Sequence, residues 1–272
     1  MMPDDQEMSL PVSSSTPPVF CEQQELLFRE VILLLEGNRV PFVISGAFAL
    51  HEHTGIWRDT KDLDLFLPPQ EVGKALALLE KDGFETEVRD PVWLAKAKRD
   101  GYFVDLITGM SNAVLRVDYS WIRHASRSNV FGMSVRVLAP EELIASKVFV
   151  TRRERFDGAD ICHVIYGTKG KFDWQRLMSL IGDQWEMLFW SLVLYHYVYP
   201  ANSEFVPAEI WTELVQRFSV ELAHPNKGAN FRGSLIDEKM FAIDVAEWGM
   251  RNILEECREK AELIHRERKE AA

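Results

Sequence analysis

Between Val43 and Leu67 the chain reads VISGAFALHEHTGIWRDTKDLDLFL, and this run ends with two aspartates one residue apart among leucines and a phenylalanine. An ionised carboxylate in apolar surroundings is costly unless a positive group or water meets it. An extended strand satisfies both demands, because side chains at i and i+2 share one face. Asp62 and Asp64 then point one way while Leu63, Leu65 and Leu67 point into a core. A second apolar run, YFVDLITG, places Asp105 between Val104 and Leu106. Three acids flanked by core-type residues form the pattern to be explained. A D-x-D pair taken alone also fits a half-exposed sheet edge.

The residues before the pair narrow the choice. Val43-Ile44 read as a buried strand running into the small residues Ser45-Gly46-Ala47, and AFALHEHTG reads as a short helix ended by Gly55. Small residues let a backbone approach a phosphate, and a following helix presents free N–H groups to an anion. Hard divalent cations such as Mg²⁺ take oxygen ligands and complete their shell with waters and substrate phosphates. Paired carboxylates with a third acid from another strand suit a two-ion clamp.

This ordered set resembles the nucleotidyltransferase superfamily of DNA polymerase beta, the kanamycin-type antibiotic nucleotidyltransferases and the AbiEii-like bacterial toxins. The pattern hG[GS], Dh[DE]h, h[DE]h is met by Ile44-Ser45-Gly46, Asp62-Leu63-Asp64-Leu65 and Val104-Asp105-Leu106. Ser45 stands where a first glycine is usual, and the spacer to Asp62 is slightly long. Arg58, Thr60 and the D-L-D-L run resemble the R-x-T-x-D-[IL]-D-L form of AbiEii-like proteins. The resemblance implies that Asp62 and Asp64 hold two Mg²⁺ ions (or Mn²⁺) on an NTP, and that Asp105 completes the catalytic-metal site and helps deprotonate a hydroxyl acceptor. NMP transfer with release of pyrophosphate follows. The acceptor is left open between a small molecule, a protein side chain and an RNA end.

Basic residues are second-tier candidates. Ser45 and Gly46 at the turn, with Arg58 and Lys61 before the D-x-D strand, fit nucleotide phosphates, although loop charges also pair with nearby acids. SKVFVTRRERFDGADICHVI resembles the K…R-x-K-D-x-x-D region of AbiEii-like proteins, with Lys147, Arg155, Asp157 and Asp160 in place and Phe156 where a lysine is expected. Lys147 and Asp160 are expected at the nucleotide. Asp157 also fits a helix N-cap. His51 and His53, two apart on a helix, do not face one another, so they make no zinc pair. His163 and His196 read as core histidines.

The rest of the chain sets the frame. Its 272 residues are 47% hydrophobic and carry a formal charge of -11, which argues against a general nucleic-acid coat. Three scattered cysteines without a metal spacing point to reduced, buried thiols. Residues 1–19 carry prolines and serines and no signal-peptide pattern, so a disordered tail and a cytoplasmic protein are expected. MLFWSLVLYHYVYP is too short for a bilayer span and reads as a buried helix, with no membrane partner. Strand and helix signals mix in residues 20–140, and helix signals follow in 141–272, with a soft boundary near Pro140. This is an α+β architecture: a mixed sheet flanked by helices, then an all-helical region in which the tryptophans build the core. A non-catalytic nucleotide-binding module on the same fold, and a toxin-type enzyme acting on tRNA with an antitoxin-type partner, remain the alternative readings.

Overall fold

The computed structural model describes residues 18–58 and 60–270 together with Ser13–Ser14. The expected disordered tail lies almost wholly outside the described residues. Strand β1 (Ser13–Ser14) pairs with β3 (Trp57–Arg58) at the periphery. Helix α1 (Glu22–Gly37) leads to β2 (Val43–Ile44), α2 (Gly46–Thr54) and β4 (Asp62–Phe66). Helix α3 (Val72–Lys81) precedes the antiparallel run β5 (Glu85–Asp90), β6 (Leu94–Arg99) and β7 (Tyr102–Ile107). Helix α4 (Tyr119–His124) and the hairpin β8 (Ser126–Val130) and β9 (Met133–Val137) complete the sheet-forming part. The sheet has seven strands in the order β5-β6-β7-β4-β2-β9-β8, parallel at β4–β7 and β2–β9 and antiparallel elsewhere.

The predicted alternation of DLDLF is what the sheet uses. Leu63 and Leu65 are fully buried, while Asp62 and Asp64 are half-buried on the opposite face. Burying apolar area is the dominant stabilising term, at about 25 cal/mol per Å², and the pleat lets the acids stay out of it.

Past Pro140 come α5 (Pro140–Lys147), the small ribbon β10 (Thr151–Arg152) and β11 (Arg155–Phe156), and α6 (Gly158–Thr168). Helices α7 (Trp174–Ile181), α8 (Trp185–Val198) and α9 (Ala208–Ala223) follow, then α10 (Gly233–Ile236), α11 (Ala242–Ala246) and α12 (Ile253–Glu270). One hydrophobic cluster runs from Leu27 through the sheet to Leu214, so α5 to α9 share the core of the sheet across the soft boundary. Among the described residues no helix is long and apolar enough to cross a membrane.

Three local expectations need correction. Helix α8 is not wholly buried: Leu188, Leu192 and Tyr195 face inward, while Trp190 and Tyr197 lie exposed, so not every tryptophan is core. His196 is likewise exposed and hydrogen-bonded to Ser203 Oγ at 2.6 Å, since it sits on that outer face. All three cysteines are free, yet only Cys162 is buried; Cys21 is exposed at the start of α1, with its Sγ 2.8 Å from the Tyr102 hydroxyl.

Candidate functional site

Strands β4 and β7 lie side by side and parallel, with Asp64 directly opposite Asp105. This register puts Asp62, Asp64 and Asp105 on one face, each with a carboxylate oxygen within 4.8 Å of the others'. The three acids named from the sequence therefore converge. An all-oxygen donor set of this charge fits a hard divalent cation.

The turn before α2 is built around Asp64. Ser45, buried, occupies the N-cap position of α2 without a capping side-chain bond, and its N–H donates to the Asp64 carbonyl at 2.9 Å. Gly46 has φ +59, and a Cβ there would lie 1.9 Å from Asp64 Oδ2. Only glycine tolerates both the left-handed backbone and this approach. The small-residue turn thus has a definite task in the protein itself, to admit a carboxylate against the backbone.

Two further residues fix the acids. Thr60 donates to Asp62 Oδ1 at 2.8 Å and also reaches the Asp62 carbonyl at 3.1 Å. Lys96 on β6, opposite Asp105 in the register, donates to Asp105 Oδ1 at 2.6 Å. Neither role was foreseen. Thr60 lay in the motif without a task, and Lys96 in LAKAKR resembles any lysine on a half-exposed strand.

Asp64 and Asp105 both resist ionisation. Burial, then the charges of Asp62 and Asp105, push Asp64 up to about 7, against the opposing pull of Lys147 and Arg155. Burial raises Asp105 as well, opposed by the hydrogen bond and charge of Lys96. Bound cations reverse such repulsion, which is why crowded carboxylates attract them.

Beside this cluster lies a second one, tightly paired. Lys147 Nζ sits 2.7 Å from Asp157 Oδ2 and 2.8 Å from Asp160 Oδ2. Arg155 clasps Asp157 through Nε and Nη2, both at 2.9 Å, and Arg58 pairs with Asp160. Asp157 and Asp160 are each 1% exposed. Burial alone would raise Asp157, but Lys147 and Arg155 outweigh it and hold the carboxyl well below the usual range. Asp157 occupies the cap position of α6 without a capping side-chain bond, so the N-cap reading gives way to this ion-pair network. Arg58, Lys147 and Asp160, expected at the nucleotide, are brought together on one another. Lys61 stays exposed before β4. His53 Nε2 lies 2.7 Å from the Leu138 carbonyl and His51 stacks on Trp57, so the two histidines share no ligand.

The chain is similar to known proteins through a family model and through solved structures. A family model described as "Nucleotidyl transferase of unknown function (DUF2204)" matches residues 25–181, more than half of the chain. No curated protein matches the sequence significantly. Among solved structures, the antibiotic-resistance factor ANT(2'')-Ia is similar at 15% identity and TM-score 0.44, covering 64% of this chain and 97% of that one. The lincosamide antibiotic adenylyltransferase LnuA is similar at 19% identity and TM-score 0.37, covering 53% and 96%. An antigenic nucleotidyltransferase-like protein from Paracoccidioides brasiliensis is similar at 20% identity and TM-score 0.40, covering 73% and 95%.

Proposed function

The chain belongs to that nucleotidyl transferase family, and from this premise we propose that it transfers an NMP from an NTP to a hydroxyl acceptor in a reaction dependent on a divalent metal ion. The observation that carries the reading is the convergence of Asp62, Asp64 and Asp105, from two adjacent strands, within 4.8 Å. Those three carboxylates would hold the ions, Mg²⁺ or Mn²⁺. Bound there, divalent ions supply positive charge to the triphosphate and to the acceptor oxygen.

The chain's own residues account for the remaining tasks. Asp105, raised by burial, would receive a proton from the acceptor, while Lys96 fixes its Oδ1. The acceptor oxygen bonds to the α-phosphorus, the bond to the β-phosphate bridge breaks, and pyrophosphate leaves with the electron pair. Thr60 fixes Asp62, and Gly46 fixes Asp64 by leaving room for it. Lys147 and Arg155 lie near enough for their charges to act on Asp64, so they border the position of the phosphates. Ser45, Gly46, Arg58, Lys61 and Asp160 belong to the same nucleotide-binding rim in this reading. Asp160 would act there by holding Arg58 and Lys147 in place.

Purified protein incubated with Mg²⁺ and each labelled NTP should release pyrophosphate and label an acceptor. Asp62→Ala, with its fold intact, should abolish both. Undiminished turnover in that variant defeats the assignment.

A further inference from the structure

The sheet face that carries the acids does not end at Asp105. Across β4, β7, β6 and β5 the register aligns Asp64, Asp105, Lys96 and Glu87 in one row, and Asp62, Phe103, Lys98 and Glu85 in the next. Beyond the acids this face opens into a groove of about 280 Å³ lined by Glu85, Glu87, Arg89, Lys96, Lys98 and Phe103. The groove is continuous with the acid cluster through Lys96, which touches Asp105 and also lies 4.4 Å over the Phe103 ring.

The charges of the groove are unequal in their commitments. Glu85 is paired with Lys98 and Glu87 with Arg89, each at 3.0 Å. Lys96 forms no ion pair with a groove acid, and Glu87, opposite it in register, is taken by Arg89; its partner is Asp105, one of the three carboxylates assigned above to the metal ions. A divalent cation on Asp105 competes with the ammonium for the same carboxylate and repels it, leaving Lys96 as an uncommitted cation beside an aromatic wall. A polycationic acceptor would meet that charge as a repulsion, and an anionic one as a partner.

Resting on the transfer reaction proposed above, we infer that this groove is the acceptor subsite, and that it takes an alcohol bearing a ring, which packs on Phe103, and an anionic group, which pairs with Lys96. The hydroxyl then lies at Asp105. The anionic group lies one to two strand spacings away, roughly 5–10 Å.

The test uses 4-(hydroxymethyl)benzoate as the probe and 4-(hydroxymethyl)benzylamine as its cationic counterpart, each with the full-length protein and Mn²⁺. Proton relaxation of the probe by bound Mn²⁺ reports its presence beside the acids without requiring turnover. The carboxylate should be relaxed and should bind about tenfold more tightly than the amine, the size of one charge-assisted contact. Lys96→Gln should erase that preference, and Phe103→Ala should weaken both probes; Phe103→Leu replaces it if the alanine variant does not fold. Equal binding of the two probes, or a preference untouched in Lys96→Gln, overturns the inference. Water-proton relaxation separates the two levels: Mn²⁺ binding that survives Asp62→Asn means the transfer reading has failed. Mn²⁺ bound at the acids with no relaxation of the carboxylate probe means that only the groove assignment has failed. If Mn²⁺ does not bind at all, Lys96 stays on Asp105 and the inference is overturned together with the transfer reading.

Discussion

Two charge clusters stand side by side in this molecule and are built on opposite plans. On the β4–β7 face, three carboxylates crowd together with one lysine among them. At the start of α6, two carboxylates are enclosed by Arg58, Lys147 and Arg155. The second cluster pairs each carboxylate with cations of the protein itself, and Lys147 and Arg155 hold the buried Asp157 carboxyl in its ionised form. The first is left short of positive charge, so Asp64 and Asp105 are pushed toward the neutral form. A charge cluster that completes itself holds structure, whereas one that is left incomplete selects an outside partner. Their adjacency matters too, since the cations of the closed cluster act on Asp64 in the open one.

The sharpest way to break this comparison is to neutralise one acid of each. Asp64→Asn should lower nucleotidyl transfer by about 10³-fold or more, because it removes an ion ligand, a loss comparable to that of a preorganised transition-state contact. The same change should stabilise the metal-free fold at pH 8, because it removes a buried charge that lacks a partner. Asp157→Asn should do the reverse to stability and cost about 3–5 kcal/mol, because Lys147 loses a buried counter-charge. Denaturant titration of both variants in the presence of a chelator checks the pair. Equal signs of the stability change would erase the distinction.

The two clusters should also respond to pH with opposite slopes. Asp64 has an ordinary value of 3.8 and lies near 7 in the fold, so folding favours its protonated form. That contribution is complete below about pH 4 and is lost as pH rises through 7, on the order of 4 kcal/mol. Asp157 is held below its ordinary value, so its contribution is present above about pH 4 and is lost on acidification. Metal-free protein should therefore lose stability from pH 5 to 8. Mg²⁺ should restore about 2–3 kcal/mol at pH 8 when present at 100 times its dissociation constant. Thermal melts across this range, with and without Mg²⁺, are the measurement. A flat profile in the chelated protein would mean that the acids are already neutralised from within.

The open cluster was legible in the sequence and the closed one was not, for a physical reason. Asp62 and Asp64 stand out because a strand's period of two separates them from Leu63 and Leu65 within five residues, and Asp105 repeats the apolar flanking. Asp157 shows only its local neighbours, and these suggest a cap; its partner Lys147, the last residue of α5, lies beyond the β10–β11 ribbon. Arg58 meets Asp160 across the whole sheet region, a pairing without periodicity or spacing to betray it. Lys96 depends on the β6–β7 register, which no single strand encodes. Strand β8, SRSNV, escaped notice because an edge strand with mostly exposed polar residues lacks the apolar alternation that marks a strand. Helix α4 is only six residues long, too short to show a helical period.

The smallest expected effect tests how firmly the open cluster is held before any ion arrives. Thr60 donates to Asp62 Oδ1 at 2.8 Å, two residues away, and this bond fixes the carboxylate's rotamer. Thr60→Val keeps the shape and removes the hydroxyl. The carboxylate is half-buried and reachable by water, so the fold should change by about 0.5–1.5 kcal/mol at most, the worth of one hydrogen bond. Metal affinity should fall further than stability, by about tenfold, because a groups-around-the-ligand contact of this kind orients donors that repel one another. Mn²⁺ titration followed by water-proton relaxation, set beside a denaturant melt of the chelated variant, separates the two. If affinity falls only in proportion to stability, Thr60 serves the strand; if affinity falls alone, it serves the ion.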